Sequence, residues 1–283
     1  MSRMVRITTD SACDLSPELC DQYGVKTIPL YITMSDGSSL RDGIEVSPQD
    51  IFKSARLLGE IPKTSAPNVQ DYLNFFEPMI KEGCEIVHLS LNSGFSATYH
   101  NAVLAADLLG HVRVVDSRTL SSALGLLVLK AAEFAADGLI ADTIFDRMME
   151  LRRKTSTTFM LDTLEFAVKG GRCSSLTAFG ANLLHIKPMM AVDHEGGIRV
   201  ARKFRGTFTA TVLDYAKHAL STPNIDPSRL FLTYTSLPDK SFELLMRFIQ
   251  DAQLFDQVIP VSAGCTICTH GGPNTVGLFY MTK

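Results

Sequence analysis

The stretch at residues 88–102, HLSLNSGFSATYHNA, decides how the rest of the chain is read. It begins inside EIVHLS, residues 85–90, a short apolar run that predicts a buried strand. From Tyr99 the spacing becomes helical, with Ala102, Val103, Ala105, Ala106 and Leu109 on one face. Asn92, Ser93, Gly94, Ser96 and Thr98 lie between strand and helix. Small hydroxyls ahead of a helix cap it, and the free N–H groups of its first turn seat an anion.

The same strand–turn–helix grammar runs outward in both directions. Upstream, VRITTD ends at Asp10, and Ser16-Pro17 and Ser47-Pro48 each announce a helix, the second reaching about Leu58. VKTIPLYIT (25–33) is predicted as one strand, IPKTSAPN as a loop around Thr64 and Ser65, and residues 69–81 as a helix. Downstream, a strand at 111–117 is followed by helices at 121–137 and 141–154. Strands alternating with helices of this length predict a mainly parallel sheet, whose ligands sit beyond the strand carboxyl ends. Asp10, Ser11, Asn92, Ser93, Ser96, Asp116 and Ser117 all fall at such ends.

A domain boundary is placed near the end of the 141–154 helix, giving an N-terminal domain at 1–155 and a C-terminal one at 156–283. In the second part, 157–162 reads as a strand, Asp162 and Glu165 as a capping box, and Gly170-Gly171 as a helix stop before Arg172. Residues 174–185 read as helical. IKPMMAV and IRVARKF form a hairpin, followed by a helix (207–220), a strand (229–235), a helix (238–252), a strand (257–262), a glycine-rich loop around His270 and a last strand from Val276. The expected class is α/β, with a mainly parallel N-terminal sheet flanked by helices and a mixed C-terminal sheet.

The 283 residues carry a net charge of -3 without a basic run, which gives no footprint for nucleic acid or an anionic membrane. No export signal or membrane-length apolar run is present, so the protein is expected in the cytoplasm with its six cysteines reduced. Cys265-x-x-Cys268 with His270 leaves a tetrahedral zinc site incomplete, and no metal site is expected. Neither a dinucleotide fingerprint nor a Walker lysine occurs, so no cofactor is expected. Gly94-Phe95-Ser96-Ala97-Thr98 sits where a hydrolase places its nucleophile, but Thr replaces the second glycine of that elbow. A serine esterase using Ser96 and His270 is kept as an alternative. Arg172 beside two glycines suits a carboxylate or phosphate, and His270 before Gly271-Gly272 has backbone beside it that a ligand can approach closely.

Taken in order, ITTDSACDL, KTSAPN, NSGFSATYHNA, VVDS, LEFAVKGGR, IKPMMAV and HGGPNTVG resemble the signature of the DegV family over essentially the whole chain. The resemblance implies a two-domain α/β protein that holds a long-chain fatty acid between its domains, is catalytically incomplete alone, and presents the carboxylate to a separate ATP-binding fatty acid kinase subunit. The acyl phosphate would feed phospholipid synthesis, and ligand exchange leaves room for transient membrane contact. Carried over by motif, Thr64, Ser65, Ser96, Ala97 and His270 would bind the carboxylate. Arg172, Ser93 and Thr98 would stand near the head group or the transferred phosphoryl. Ala97 replaces a usual glycine, and Asn68 a usual small hydroxyl. A binding protein for another apolar carboxylate is the remaining alternative.

Overall fold

The computed structural model describes residues 3–173 and 186–283. Its first sheet contains β1 (Val5–Asp10), β2 (Lys26–Ile28), β6 (Glu85–Ser90) and β7 (Val112–Asp116), all parallel, in the order β2-β1-β6-β7. The chain leaves β1 toward one edge and returns on its other side as β6. The crevice beyond the carboxyl ends of β1 and β6 is therefore the switch point, where open α/β sheets hold ligands.

Local signals explain the first three α-helices of the chain. In α1 (Pro17–Tyr23) the Ser16 hydroxyl accepts from the Leu19 N–H and Pro17 takes the first turn. In α2 (Pro48–Leu58) Asp50 accepts from both the N–H and the hydroxyl of Ser47. Asn68 and Asp71 cap α3 (Val69–Lys81) reciprocally, each side chain accepting the other's N–H. The departure at Asn68 is thus taken up by a helix start. Apolar faces of α3 and α4 (Thr98–Leu109) cover one side of the sheet, and α5 (Ser121–Ala136) and α6 (Ala141–Leu151) cover the other.

The second sheet contains β8 (Thr155–Met160), β9 (Ile186–Val192), β10 (Ile198–Arg205), β11 (Ile225–Tyr234), β12 (Val258–Ser262) and β13 (Val276–Thr282). Their order is β10-β9-β8-β13-β11-β12, antiparallel except for β11 with β12. Period-two alternation gives β11 and β13 two apolar faces. Leu230, Leu232, Leu278 and Tyr280 pack under α8 (Phe208–Ala219) and α9 (Asp239–Ala252), while Phe231 and Phe279 turn toward α5.

That helix serves both sheets. Leu124, Leu127, Val128 and Ala131 pack with Ile7, Val87, Leu89 and Val115 of the first sheet, and Ala123, Leu126 and Leu129 with Phe231, Val261 and Phe279 of the second. A helix apolar on every side belongs in an interior, which accounts for the greasy run at 123–129. Among the described residues no helix is long and apolar enough to cross a membrane.

Several expectations change. VKTIPLYIT is two strands in different sheets: Pro29, which lacks an N–H, follows β2, and β3 (Tyr31–Thr33) pairs elsewhere. The segment after Asp36-Gly37 and the IPKTSAPN loop supply β4 (Ser39–Arg41) and β5 (Lys63–Ser65), which flank β3 in a small antiparallel sheet. Asp162 does not cap α7 (Glu165–Gly170), whose N-cap position is Leu164; it pairs with Lys187 at 2.5 Å and accepts from Asn274. The loop around His270 is a helix, α10 (Cys265–Gly271), packed on the small sheet through Cys265, Ile32 and Val46. The helix read at 174–185 lies outside the described residues.

Candidate functional site

A cavity of about 260 Å³ opens at the switch point, between the second sheet, the turn before α4, β5 and α10. Its body is apolar, with Leu30, Leu91, Leu161, Met190 and Phe279 among the walls. Thr64, Ser65, Ser96, Ala97, Arg172 and His270 all reach it. Six of the eight site residues read from the sequence therefore meet at one cavity although they come from four separate segments.

Ser93 and Thr98 are not on its wall. The Ser93 hydroxyl donates to Asp116 Oδ2 at 2.6 Å, and its N–H donates to the other carboxylate oxygen, so it ties the turn to the end of β7. Thr98 is fully buried, and its hydroxyl has no partner among the described residues. Asn92 instead links the turn to the β9–β10 hairpin, donating to the Gly196 carbonyl at 2.7 Å.

Two of the hydroxyls on the cavity wall keep a hydrogen to give. Ser96 Oγ accepts the Thr98 N–H at 3.3 Å, which leaves its own hydrogen without an acceptor among the described residues. Thr64 Oγ1 lies 2.8 Å from His270 Nε2, while His270 Nδ1 is buried against Gly170 without a partner. A proton on Nδ1 would be a buried, unpaired donor, so the tautomer assigned on this ground carries its proton on Nε2 and donates to Thr64. The Thr64 hydrogen is then free for an acceptor in the cavity. Burial, with the nearby Arg172 charge, lowers the His270 pKa to about 4, so the ring is neutral at pH 7. Arg172 donates to the carbonyls of Phe95 at 3.2 Å and Gly170 at 2.9 Å, fastening α7 to the turn before α4.

This geometry offers hydrogen-bond donors and no nucleophile–base pair. For a serine esterase the imidazole should bond the nucleophile and be oriented by a third group. His270 bonds Thr64, and its other nitrogen has no hydrogen-bond partner among the described residues. The CxxC thiols are also occupied: Cys265 donates to the Val46 carbonyl and Cys268 to that of Ala263. Burial raises the Cys265 thiol to about 12 and pushes Cys268 well up, which keeps both protonated and inert.

Sequence reasoning missed the groups that position these residues. Asp42 accepts the N–H groups of Cys265 and Thr266 and the hydroxyls of Thr266 and Ser11, so it caps the helix that carries His270. Asp14 accepts from the Gly264 N–H and the Ser121 hydroxyl. Gly170 was read only as part of a helix stop; a Cβ there would strike the His270 ring. No local pattern flags Asp42, whereas the Gly170-Gly171 pair already hinted at a close approach.

Burial raises the Asp10 and Asp14 carboxyls to about 7 and lowers His88 to about 3. An acid raised in the folded state stabilises it below its unfolded pKa, near 3.8, and that contribution is lost as pH climbs to about 7. A lowered imidazole contributes above its unfolded value of 6.5, and the contribution is lost as pH falls through its folded value. Two groups of each kind oppose one another with slopes of about 1.4 kcal/mol per pH unit and proton. Urea unfolding is expected to give nearly equal free energies at about pH 5 and pH 6; a difference beyond about 1 kcal/mol would contradict the balance.

The comparisons agree with the fold. A family model described as "Uncharacterised protein, DegV family" matches residues 4–283. A fatty acid-binding protein of Thermotoga maritima is 31% identical, the match covering 96% of each chain. The structure titled "Fatty Acid Binding of a DegV family Protein from Thermus thermophilus" superposes with a TM-score of 0.90 at 29% identity, covering 99% of this chain and 100% of that one. The Streptococcus pneumoniae Fatty Acid Kinase (Fak) B3 protein loaded with linoleic acid shares the fold, with a TM-score of 0.82 at 19% identity over 100% of both chains. With the family pattern spanning residues 4–283, and five of the seven motifs quoted above contributing to the wall of one cavity, the chain belongs to the DegV family.

Proposed function

We propose that this protein binds a long-chain fatty acid, with the carboxylate at Thr64, Ser65, Ser96, Ala97 and His270 and the acyl chain in the apolar body of the cavity. The observation that carries the reading is the cavity itself: a mainly apolar wall that also carries two hydroxyl hydrogens and a neutral imidazole. Burying some fourteen methylenes at about 0.8 kcal/mol each supplies on the order of 11 kcal/mol before losses, so the tail can dominate affinity. The head group needs only donors that replace its water, which neutral hydroxyls provide while leaving an oxygen accessible. The fatty acid-binding relative and the Thermus thermophilus structure support the same ligand class.

In this reading residues 1–155 and 156–283 form the two domains that hold the ligand, and the strands change sheet at Thr155. The protein acts as the non-catalytic, acyl-carrying subunit of a fatty acid kinase, in the cytoplasm. Phosphoryl transfer needs a nucleotide, a metal and positive charge, which the ATP-binding partner brings. Arg172 would stand beside the carboxylate on this chain's side of the reaction. The product acyl phosphate would enter phospholipid synthesis, with brief membrane contact for ligand exchange.

Denaturing the bacterially expressed protein is expected to release a C14–C18 fatty acid in near-stoichiometric amount, read by mass spectrometry. A ligand-free preparation that also takes up no added fatty acid would remove the reading. Thr64→Ala and Ser96→Ala are each expected to weaken fatty-acid binding by about 0.5–1.5 kcal/mol, or roughly two- to tenfold. Unchanged affinity in both would put the carboxylate elsewhere.

A further inference from the structure

We propose that Phe279, laid over Gly277, is the end stop that sets how long an acyl chain the cavity accepts; this rests on the fatty-acid reading above. The sheet register supplies the ruler. Met190, Phe159, Gly277 and Thr233 are successive partners across β9, β8, β13 and β11, and all four line the cavity. Cross-strand partners share a face, so this row is one transverse step of the cavity floor.

The polar end lies on the α10 side of that row. Thr275, also on the wall, donates through its hydroxyl to the Gly271 carbonyl at 2.7 Å, next to His270. From Thr275, β13 runs away from the head group, and four residues later it reaches Phe279, roughly 13 Å along an extended strand. Phe279 pairs with Thr157 and Phe231, neither of which lines the cavity. Thr157 is bonded to Thr119, and Phe231 is packed beneath α5. The open floor therefore ends in the Phe279 row.

The ring does more than fill its own row. It leans back along the strand so far that a Cβ on Gly277 would collide with its outer edge. Covering a strand glycine with an aromatic is a known means of sheet stabilisation, yet here the ring is also cavity wall and only 2% exposed to solvent. On its other side stand Ala123, Leu126 and Leu129 of α5. Removing the ring would join its volume to the cavity and extend the apolar slot in the direction away from the carboxylate.

The test loads delipidated protein with an equimolar mixture of saturated C14, C16, C18 and C20 fatty acids and reads the bound acids by mass spectrometry after denaturation. Phe279→Ala is expected to raise the bound C18 to C14 ratio by about fourfold for each extra methylene accommodated. Phe279→Leu, which keeps the site apolar, is expected to shift the ratio in the same direction by less and serves if the alanine variant does not fold. A folded variant that holds fatty acid with the wild-type ratio overturns the end stop while leaving the fatty-acid reading intact. Wild-type protein that takes up none of the four acids overturns both.

Discussion

Replacing Asp42 with alanine is expected to destabilise the protein by about 3–4 kcal/mol, measured by urea unfolding. The carboxylate is 4% exposed and accepts four hydrogen bonds, at 2.9 Å from Cys265 N, 3.2 Å from Thr266 N, 2.7 Å from Thr266 Oγ1 and 3.0 Å from Ser11 Oγ. Alanine leaves two backbone N–H groups buried without acceptors, and each orphaned donor costs about 1–3 kcal/mol. The hydroxyls can turn to other partners, which the amides cannot. Fatty-acid retention should fall as well, because the helix freed at its start is the one that aims His270. Asp42→Asn, which keeps one carbonyl oxygen, should fall between. A loss below about 1 kcal/mol in the alanine variant would show that the cap is dispensable.

Gly170→Ala is expected to act on the site more than on the fold. The added methyl would occupy the place of His270 Nδ1, so the imidazole must rotate away and its 2.8 Å contact with Thr64 must break. Overpacking of this kind costs about 1–3 kcal/mol. Without the Nε2–H donor, Thr64 loses the partner that leaves its hydrogen directed at the ligand. Affinity for fatty acid should drop about as far as in His270→Ala, and a double variant should add little, because both remove one interaction. Independent, additive losses would mean that Gly170 and His270 do not act through each other.

These two residues also mark where the sequence could be read and where it could not. Helices with their own caps, such as those opened by Ser16, Ser47 and Thr207, carry their start signals within four residues. Thr64, Ser96 and His270 were legible through their motifs. The helix at Cys265–Gly271 was misread as a loop because its cap comes from Asp42, 223 residues away. The small sheet was missed for a similar reason: three-residue strands have too few positions to show a period, and pairing between distant segments defines them. Ser93 is carried to the head group by motif alone, and the motif gives no sign of its bond to Asp116 on the next strand. Phe279 carried a faint signal, since Gly277-x-Phe279 alternates small and aromatic on one face, but only the six-stranded register shows what that face lines.

The position of α5 has a consequence for how such chains can change over time. One face of this helix is interior to the first sheet and the opposite face is interior to the second. An exchange of C-terminal halves between two relatives would therefore bring a foreign surface against Ala123, Leu126 and Leu129, even if the crossover fell in the loop after α6. Viable chimeras should be those that carry α5 together with the strands holding Phe231, Val261 and Phe279. On this packing, a viable exchange would have to keep the two sheets together with their common helix.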